Sequence, residues 1–486
     1  MEEQVETIVV RGDLSGIQEY IFNVKSKGAA RGLMERSGDV RAKESEYADR
    51  VAELLPETGF ERIEGGGGFY FVGQAGTDAL GGIEEKLGDL HLEIASELAR
   101  EELSVRLVCG RGADFRSAWA SATAANNAKR YKPLEGVEKR KALFGRVFGA
   151  FHVSGEGQEE VKKPKLAEGS CVPRGDAGEP VDFDGLASLA MERTGTDLLG
   201  VLKMDVDNLG LVFGGMKSCG EFSEASGFFN GFFRMDGGGT PSVLRELWGR
   251  ETFAGGEASY RDNIYTVFSG GDDCFFIGGW DAALAFAMDI RERFEREVKK
   301  DEKMCGRKVS LSAGLLFTGA KTPVVRIGQM AEEALEEAKG RPGKNAVSVM
   351  GEVFRWEDLR DCMAHTDLLR RFLEEKAIKR SFLEKVKRSA KGFEGLQRKV
   401  LRGEPLPFAK VWRLKYFLRD MKEDPAQELE EALFAPYEKA LMDAMRLKGD
   451  PDFGPAYVNP MRFPLAARLT EFFTRDIKHE KDEPQY

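Results

Sequence analysis

Leu198-Leu199-Gly200-Val201-Leu202-Lys203-Met204-Asp205-Val206-Asp207-Asn208-Leu209 reads as an apolar strand ending in a polar turn that carries two carboxylates. It has an earlier counterpart. The β-branched run Thr7 to Val10 leads into Arg11-Gly12-Asp13-Leu14-Ser15-Gly16-Ile17, with Asp13 at the offset that Asp205 holds in the later copy. A duplicated pattern constrains a fold more than any single motif. Outward from these strands, the later copy continues with Ser269-Gly270-Gly271-Asp272-Asp273-Cys274-Phe275-Phe276-Ile277, and the earlier with Glu64-Gly65-Gly66-Gly67-Gly68-Phe69-Tyr70-Phe71-Val72. Each reads as a strand, a tight glycine turn and an aromatic-rich strand, because Gly supplies the positive φ that hairpin turns demand. Apolar periodicity then predicts a long helix in each copy, about Asp78 to Glu101 and Asp281 to Val298, followed by a strand, Leu103 to Val108 and Val309 to Phe317. Strand, helix, hairpin, helix, strand is the ferredoxin-like split β-α-β order. The expected class is α+β, with two such units, each an antiparallel sheet with helices on one face.

The first unit is expected over 1–124 and the second over 197–351, closed by a helix from Ile327 to Ala338 and a last strand from Ala346 to Met350. Between them, 125–196 reads as a small, partly helical insert with Gly/Pro/Asp-rich turns from Gly155 to Asp184. The remainder, 352–486, reads as a separate α-helical domain with helices at Asp367 to Ala390, Phe408 to Met421 and Glu428 to Leu447, and a frayed end from His479 to Tyr486.

At 486 residues there is room for three or four folded units. With 72 basic against 82 acidic residues, the net charge of -10 repels polyanions except at local basic clusters, which argues against a free-standing DNA binder. Cys109, Cys171, Cys219, Cys274, Cys305 and Cys362 form no C-x-x-C pair, so neither a zinc ribbon nor a disulfide framework is readable, and a reducing cytoplasm is expected. The acidic start Met-Glu-Glu-Gln-Val-Glu is unlike a signal peptide, and no apolar stretch has the length of a membrane span.

Asp205, Asp207, Asp272 and Asp273 are the sharpest constellation, because the first strand and the central hairpin are sheet neighbours in this topology. Hard divalent cations, Mg²⁺ or Mn²⁺, take such oxygen ligands, and two metals activate an attacking hydroxyl and stabilise departing pyrophosphate. Alone, Gly-Gly-Asp-Asp could be a solvated turn; its match to Asp205-Val206-Asp207 in a repeat favours a site. Asn208-Leu209-Gly210 offers backbone N–H groups to phosphate where strand becomes helix. Lys339 and Lys344-Asn345 could reach a triphosphate, although a Lys at a helix C-terminus is stabilised by the dipole in any case. Ser269, before Gly270 and Gly271, could bond a nucleotide hydroxyl or cap the turn. The earlier copy has Gly67 and Gly68 where the later has the Asp pair, which suggests an acceptor side without metals of its own. Ser15, Gln18, Ser26 and Lys27 would line it, or form a solvated helix face.

Gly12-Asp13-Leu14-Ser15-Gly16-Ile17-Gln18-Glu19-Tyr20-Ile21-Phe22, Ser26-Lys27-Gly28-Ala29-Ala30, Lys203 to Gly210 and Ser269 to Asp273 occur together in that order, with weaker echoes at Gly343-Lys344-Asn345 and Ile378 to Leu383. In these stretches, and in their order along nearly the whole chain, the sequence resembles the palm-domain large subunits of type III (Csm/Cmr-type) CRISPR effector complexes. The resemblance implies two palm domains of the GGDEF/nucleotide-cyclase kind, a helical insert and a helical C-terminal domain. It implies conversion of ATP to 3′–5′ cyclic oligoadenylate when the assembled complex, with its other subunits and crRNA, holds target RNA. Two departures bear on this. No His is followed by Asp, and the first unit begins within ten residues, so HD nuclease activity is not expected; the insert carries only Cys171, so no zinc is expected there.

Two other readings stand beside this one. A diguanylate-cyclase-like enzyme also pairs Asp-x-Asp with a Gly-Gly-acid hairpin, but normally as two identical chains with Glu at the position of Asp273. A scaffold subunit would carry the site as a relic. Candidate RNA contacts are Lys129, Arg130 and Lys132, and Lys379, Arg380, Lys385, Lys387 and Arg388. A helical small subunit could dock on the stripe Leu368, Phe372, Phe382 and Val386, unless that stripe is the domain's own core.

Overall fold

The computed structural model describes residues 5–24, 28–56, 59–65, 68–98, 101, 103–131, 171–175, 178–235, 241–406, 416, 419, 421–446 and 458–475. Ser26, Lys27, Lys132, most of the insert, most of the expected helix Phe408 to Met421 and the end from His479 lie outside the described residues.

The first unit runs β1 (Val5–Ser15), α1 (Ile17–Phe22), α2 (Ala29–Ala52), β2 (Phe60–Gly65), β3 (Gly68–Gly76), α3 (Thr77–Glu97), β4 (Ser104–Gly112) and α4 (Phe115–Tyr131). Its sheet has the order β2-β3-β1-β4. After α5 (Phe183–Thr194), the second unit runs β5 (Leu199–Asp207), α6 (Leu209–Gly214), α7 (Cys219–Phe233), α8 (Val243–Arg250), the short pair β6 (Thr252–Phe253) and β7 (Ala258–Ser259), α9 (Tyr260–Asn263), β8 (Ile264–Gly270), β9 (Asp273–Gly279), α10 (Trp280–Lys300), β10 (Ser310–Thr318), α11 (Val324–Lys339), β11 (Ala346–Val349) and β12 (Glu352–Arg355). Its six-stranded sheet has the order β12-β11-β10-β5-β9-β8.

The two sheets share their central register. β1 sits antiparallel between β3 and β4 with Asp13 opposite Gly68, and β5 sits antiparallel between β9 and β10 with Asp205 opposite Asp273. Gly68 is fixed by close approach, since a Cβ there would lie 2.8 Å from the Gly12 carbonyl oxygen. An aspartate cannot stand at that position without moving β1.

Helices cover both faces of the second sheet, not one. Leu202, Met204 and Val206 face a core shared with Phe286 and Ile290 of α10, whereas Val201, Phe275 and Ile277 face a core shared with Ile21, Phe22 and Leu33 of the first unit and Ile327 of α11. Near-continuous burial along β5 and β9 demands cover on both sides. The units are also joined by aromatic contacts between Trp119 of α4 and Phe222 of α7, ring centroids 4.7 Å apart, and between Tyr70 of β3 and Phe222 at 5.2 Å.

Beyond residue 351, where the sequence reading ends the second unit, β12 adds an edge strand through a two-residue turn with positive φ at Met350 and Gly351. The C-terminal helices are α12 (Trp356–Glu374), α13 (Arg380–Ser389), α14 (Leu396–Leu401), α15 (Glu423–Leu429), a π turn at Glu430–Phe434, α16 (Ala435–Arg446) and α17 (Arg462–Phe473). The expected single helix Asp367 to Ala390 is therefore two. Lys376 takes φ 56°, and the N–H groups of Ala377 and Ile378 turn back to the Phe372 carbonyl, burying Ile378 in a helix-ending motif. Phe372, Phe382 and Val386 are 2%, 6% and 0% exposed, so the stripe proposed for docking is this chain's own core. Glu352 anchors the helices to the sheet, accepting from Gly395 N at 2.5 Å and Leu396 N at 3.3 Å.

Candidate active site

The hairpin β8–β9 turns through Gly271 and Asp272, with φ 63° at Gly271, the first loop position, where glycine is favoured in a tight hairpin. Val206 N donates to Asp272 O at 3.0 Å, tying the turn to β5. Asp205, Asp272 and Asp273 are thus neighbours, brought together by strand pairing.

Their environment is costly for charge. Burial, then the charges of Asp205 and Asp273, hold the Asp272 carboxyl well above the usual range. Burial and the Asp205 charge push Asp273 up to about 7. Asp205 is raised chiefly by burial, against the pull of Lys339, whose Nζ lies 2.9 Å from Asp205 Oδ2. Among the described residues no three acidic, Cys or His side chains already form a closed metal-binding group. The donor chemistry nevertheless fits Mg²⁺ or Mn²⁺: three crowded carboxylates that resist ionisation alone are relieved by a hard cation, which takes its remaining ligands from water and phosphate.

A pH dependence follows for the chain in chelator. Asp273 has a folded value above its unfolded one, so its ionisation opposes folding; the penalty is absent below about pH 4 and grows as pH rises through 7. Asp273→Asn is expected to melt about 2 °C above the unsubstituted chain at pH 8 and level with it at pH 4, as read by calorimetry.

Asp207 lies on the same face of β5 as Asp205 but turns inward. It is 0% exposed, accepting from Ser310 Oγ at 2.7 Å, from Ser312 Oγ at 2.8 and 2.9 Å, and from Asn345 N at 2.9 Å. Gly343, Lys344 and Asn345 have φ of 82°, 52° and 51°, a strained left-handed run held by that last bond. Asn208, with φ 60°, turns β5 into α6, whose first bonds come from Leu211 N and Val212 N, leaving Leu209 and Gly210 N–H outside the ladder. Ser269 Oγ donates to Phe233 O at 2.6 Å, so its hydroxyl caps backbone.

A cleft of about 440 Å³ opens between the units. Ile17, Gln18 and Ile21 of α1 and Arg41 of α2 face Lys203, Asn230 and the run Phe268–Gly271 with Asp273. Gln18 and Asp273 therefore share one cavity, while the Ser15 hydroxyl is buried without a partner at the end of β1. Asp13 is paired with Arg106 and accepts from Asn126 Nδ2 at 3.3 Å. The sequence reading missed Lys203, Arg41, Asn230, Ser310 and Ser312; only Lys203 carried a signal, two residues before Asp205 on one strand face.

A family model described as Cas10/Cmr2, second palm domain, matches residues 198–348, and one for Csm1 subunit domain B matches 6–109. The chain belongs to the Cas10/Csm1 large-subunit family of type III CRISPR complexes. Among curated Cas10/Csm1 relatives, each described as a subtype III-A single-strand-specific deoxyribonuclease, that of Thermococcus onnurineus is 27% identical over 443 residues, covering 71% of this chain and 55% of the relative. That of Methanocaldococcus jannaschii is 36% identical over 194 residues, covering 36% of this chain and 23% of the relative. The chain thus spans about half or less of the length of these relatives. A crystal structure of a Csm1-Csm4 cassette in complex with cA4 has TM-score 0.65 at 19% identity, covering 96% of this chain and 70% of that one; another in complex with AMPPNP has TM-score 0.61 at 20% identity, with the same coverage. These likenesses carry the fold. The Cas10 second-palm match spans β5 to β11, including Asp205 and the hairpin.

No described helix is long and apolar enough to cross a membrane. Of the candidate RNA contacts, Lys387 pairs with Glu384 and Glu471, Arg388 pairs with Glu384, and Lys129 Nζ donates to Leu107 O at 2.8 Å. The side chain of Arg130 lies outside the described residues.

Proposed function

We propose that this chain is the nucleotidyltransferase subunit of a Csm-type complex, joining ATP into cyclic oligoadenylate when target RNA is held. The observation that carries the reading is Asp273, paired across the strands with Asp205 and next to Asp272 in the hairpin, lining a cleft whose opposite wall belongs to a unit of like register. The solved Csm1-Csm4 cassettes, crystallised with AMPPNP and with cA4, support ATP as substrate and a ring of adenylates as product. On this reading the first unit is a second palm domain on the acceptor side, and the partners are a Csm4-type subunit, a helical small subunit, crRNA and target RNA.

The 3′-hydroxyl of one nucleotide gives up its proton to solvent as its oxygen bonds to the α-phosphorus of another, the bond from that phosphorus to the α–β bridging oxygen breaks, and pyrophosphate leaves with its electron pair. Asp205, Asp272 and Asp273 would hold the divalent cations, which supply charge neutralisation at the phosphates and acidify the attacking hydroxyl. Lys339, 2.9 Å from Asp205, would supply counter-charge to triphosphate oxygens, and Lys344 would add to it. Leu209 and Gly210 N–H offer further donors. Ile17 and Ile21 on one wall and Phe268 on the other exclude water from the base.

The test offers the assembled complex, with matched target RNA and Mg²⁺, each nucleoside triphosphate separately. Cyclic product is expected chiefly from ATP, with at least about tenfold preference over GTP, a margin of roughly 1.4 kcal/mol. Predominant cyclic di-GMP would favour the diguanylate-cyclase reading, and no product under any condition would favour a scaffold.

A further inference from the structure

Gln18, read from the sequence as a nucleotide contact, uses both ends of its amide inside the protein. From α1 of the first unit, its Nε2 donates to Gly328 O of α11 at 2.8 Å, and its Oε1 accepts from Lys203 Nζ of β5 at 2.6 Å. Lys203 is 7% exposed and also donates to Glu332 of α11. A buried ammonium is tolerated only when paired and hydrogen-bonded. Withdrawing α1 would remove the Gln18 acceptor from Lys203.

The apolar side of the same contact is equally specific. Phe22, at the end of α1, lies so close to Gly328 that a Cβ there would stand 2.8 Å from its ring. That ring meets Phe275 of β9 edge-on, with centroids 4.8 Å apart and planes at 61°. α1 is therefore seated on α11, β5 and β9 at once. Three of those four elements carry or flank the carboxylates: Lys203 precedes Asp205 by two residues on one strand face, Phe275 follows Asp273 by two, and α11 ends at Lys339.

We propose that Gln18 and Lys203 are positioning residues, which lock α1 of the first unit onto the second and so fix the width of the cleft without contacting the nucleotide. Their effect on turnover rests on the nucleotidyl-transfer reading; the clasp itself does not. Ile17 and Ile21 of α1 wall the cleft opposite Gly270 and Asp273, so any shift of α1 moves a nucleotide held there relative to the carboxylates. A misplacement of about 1 Å costs roughly 100-fold in rate.

The experiment compares the full chain with Gln18→Ala, Gln18→Glu and Gly328→Ala, by amide hydrogen exchange and, in the assembled complex, by ATP turnover. Gly328→Ala displaces α1 through the Phe22 ring while keeping the Gln18 amide in the sequence, so it perturbs the seating without deleting the amide. In Gln18→Ala and Gly328→Ala, exchange over Ile17–Phe22 is expected to quicken at least about tenfold, with β5 and β9 still protected. In both, kcat is expected to fall about 100-fold with KM within about threefold. Gln18→Glu keeps an acceptor for Lys203 but loses the donor to Gly328 O, and is expected to fall between Gln18→Ala and the unsubstituted chain. Unchanged exchange in α1 overturns the proposal whether or not ATP is turned over. A raised KM with kcat retained in Gln18→Ala also overturns it, because that is the signature of a nucleotide contact. If the unsubstituted complex makes no product, the functional reading fails and the exchange result still decides the clasp.

Discussion

Asp272→Ala combined with Asp273→Ala is expected to lower nucleotide incorporation by about 1,000-fold or more, a loss of roughly 4 kcal/mol of transition-state stabilisation, while the chain still folds. Both residues sit at a half-buried turn whose backbone tie, Val206 N to Asp272 O at 3.0 Å, does not involve their side chains. Their carboxyls are held above the ordinary range by burial and by neighbouring charge, so truncation relieves repulsion in the metal-free fold. Asp205→Ala should lose activity similarly but removes the 2.9 Å ion pair of Lys339, which retains the longer contact to Glu336 at 3.8 Å. The measurement is radiolabelled ATP incorporation by the assembled complex beside a thermal melt of each chain. Product at the unsubstituted rate in either variant would remove these carboxylates from the chemistry.

Much of this arrangement was legible because it rests on strand pairing, which the repeat already implies. The offset aligning Asp13 with Asp205 and Gly67-Gly68 with Asp272-Asp273 is the register in which Asp13 opposes Gly68 and Asp205 opposes Asp273. What stayed hidden depends on partners distant in sequence. Nothing local to Gln18 says that its amide will meet Gly328, 310 residues away, and so be unavailable to a nucleotide. β12 was missed because its turn is Met350-Gly351, whereas a type I′ hairpin is usually announced by Asn-Gly or Asp-Gly. The break near Lys376 has neither Gly nor Pro to mark it. Cover on both sheet faces could have been read from the unbroken apolar run Cys274 to Ile277, which does not alternate as a one-sided strand would.

Asp207 separates a metal ligand from a structural anchor, and the two roles predict different outcomes for one substitution. Its carboxylate gathers Ser310, Ser312 and Asn345 N, the last holding Gly343-Lys344-Asn345 in a left-handed run that costs about 1–2 kcal/mol for each of the two non-glycine residues. Without that acceptor two hydroxyls and an N–H lose their partner, and the run relaxes. Asp207→Ala is therefore expected to destabilise the chain by about 3 kcal/mol and to lower incorporation by displacing Lys344. Asp207→Asn should be nearly as damaging, since an amide cannot accept from all three groups without presenting its own N–H to one of the donors. Denaturant unfolding of the full chain in chelator supplies the measurement. An Asp207→Asn chain as stable as the unsubstituted one, yet inactive, would return Asp207 to the metal site; a destabilised chain assigns it to the loop that carries Lys344.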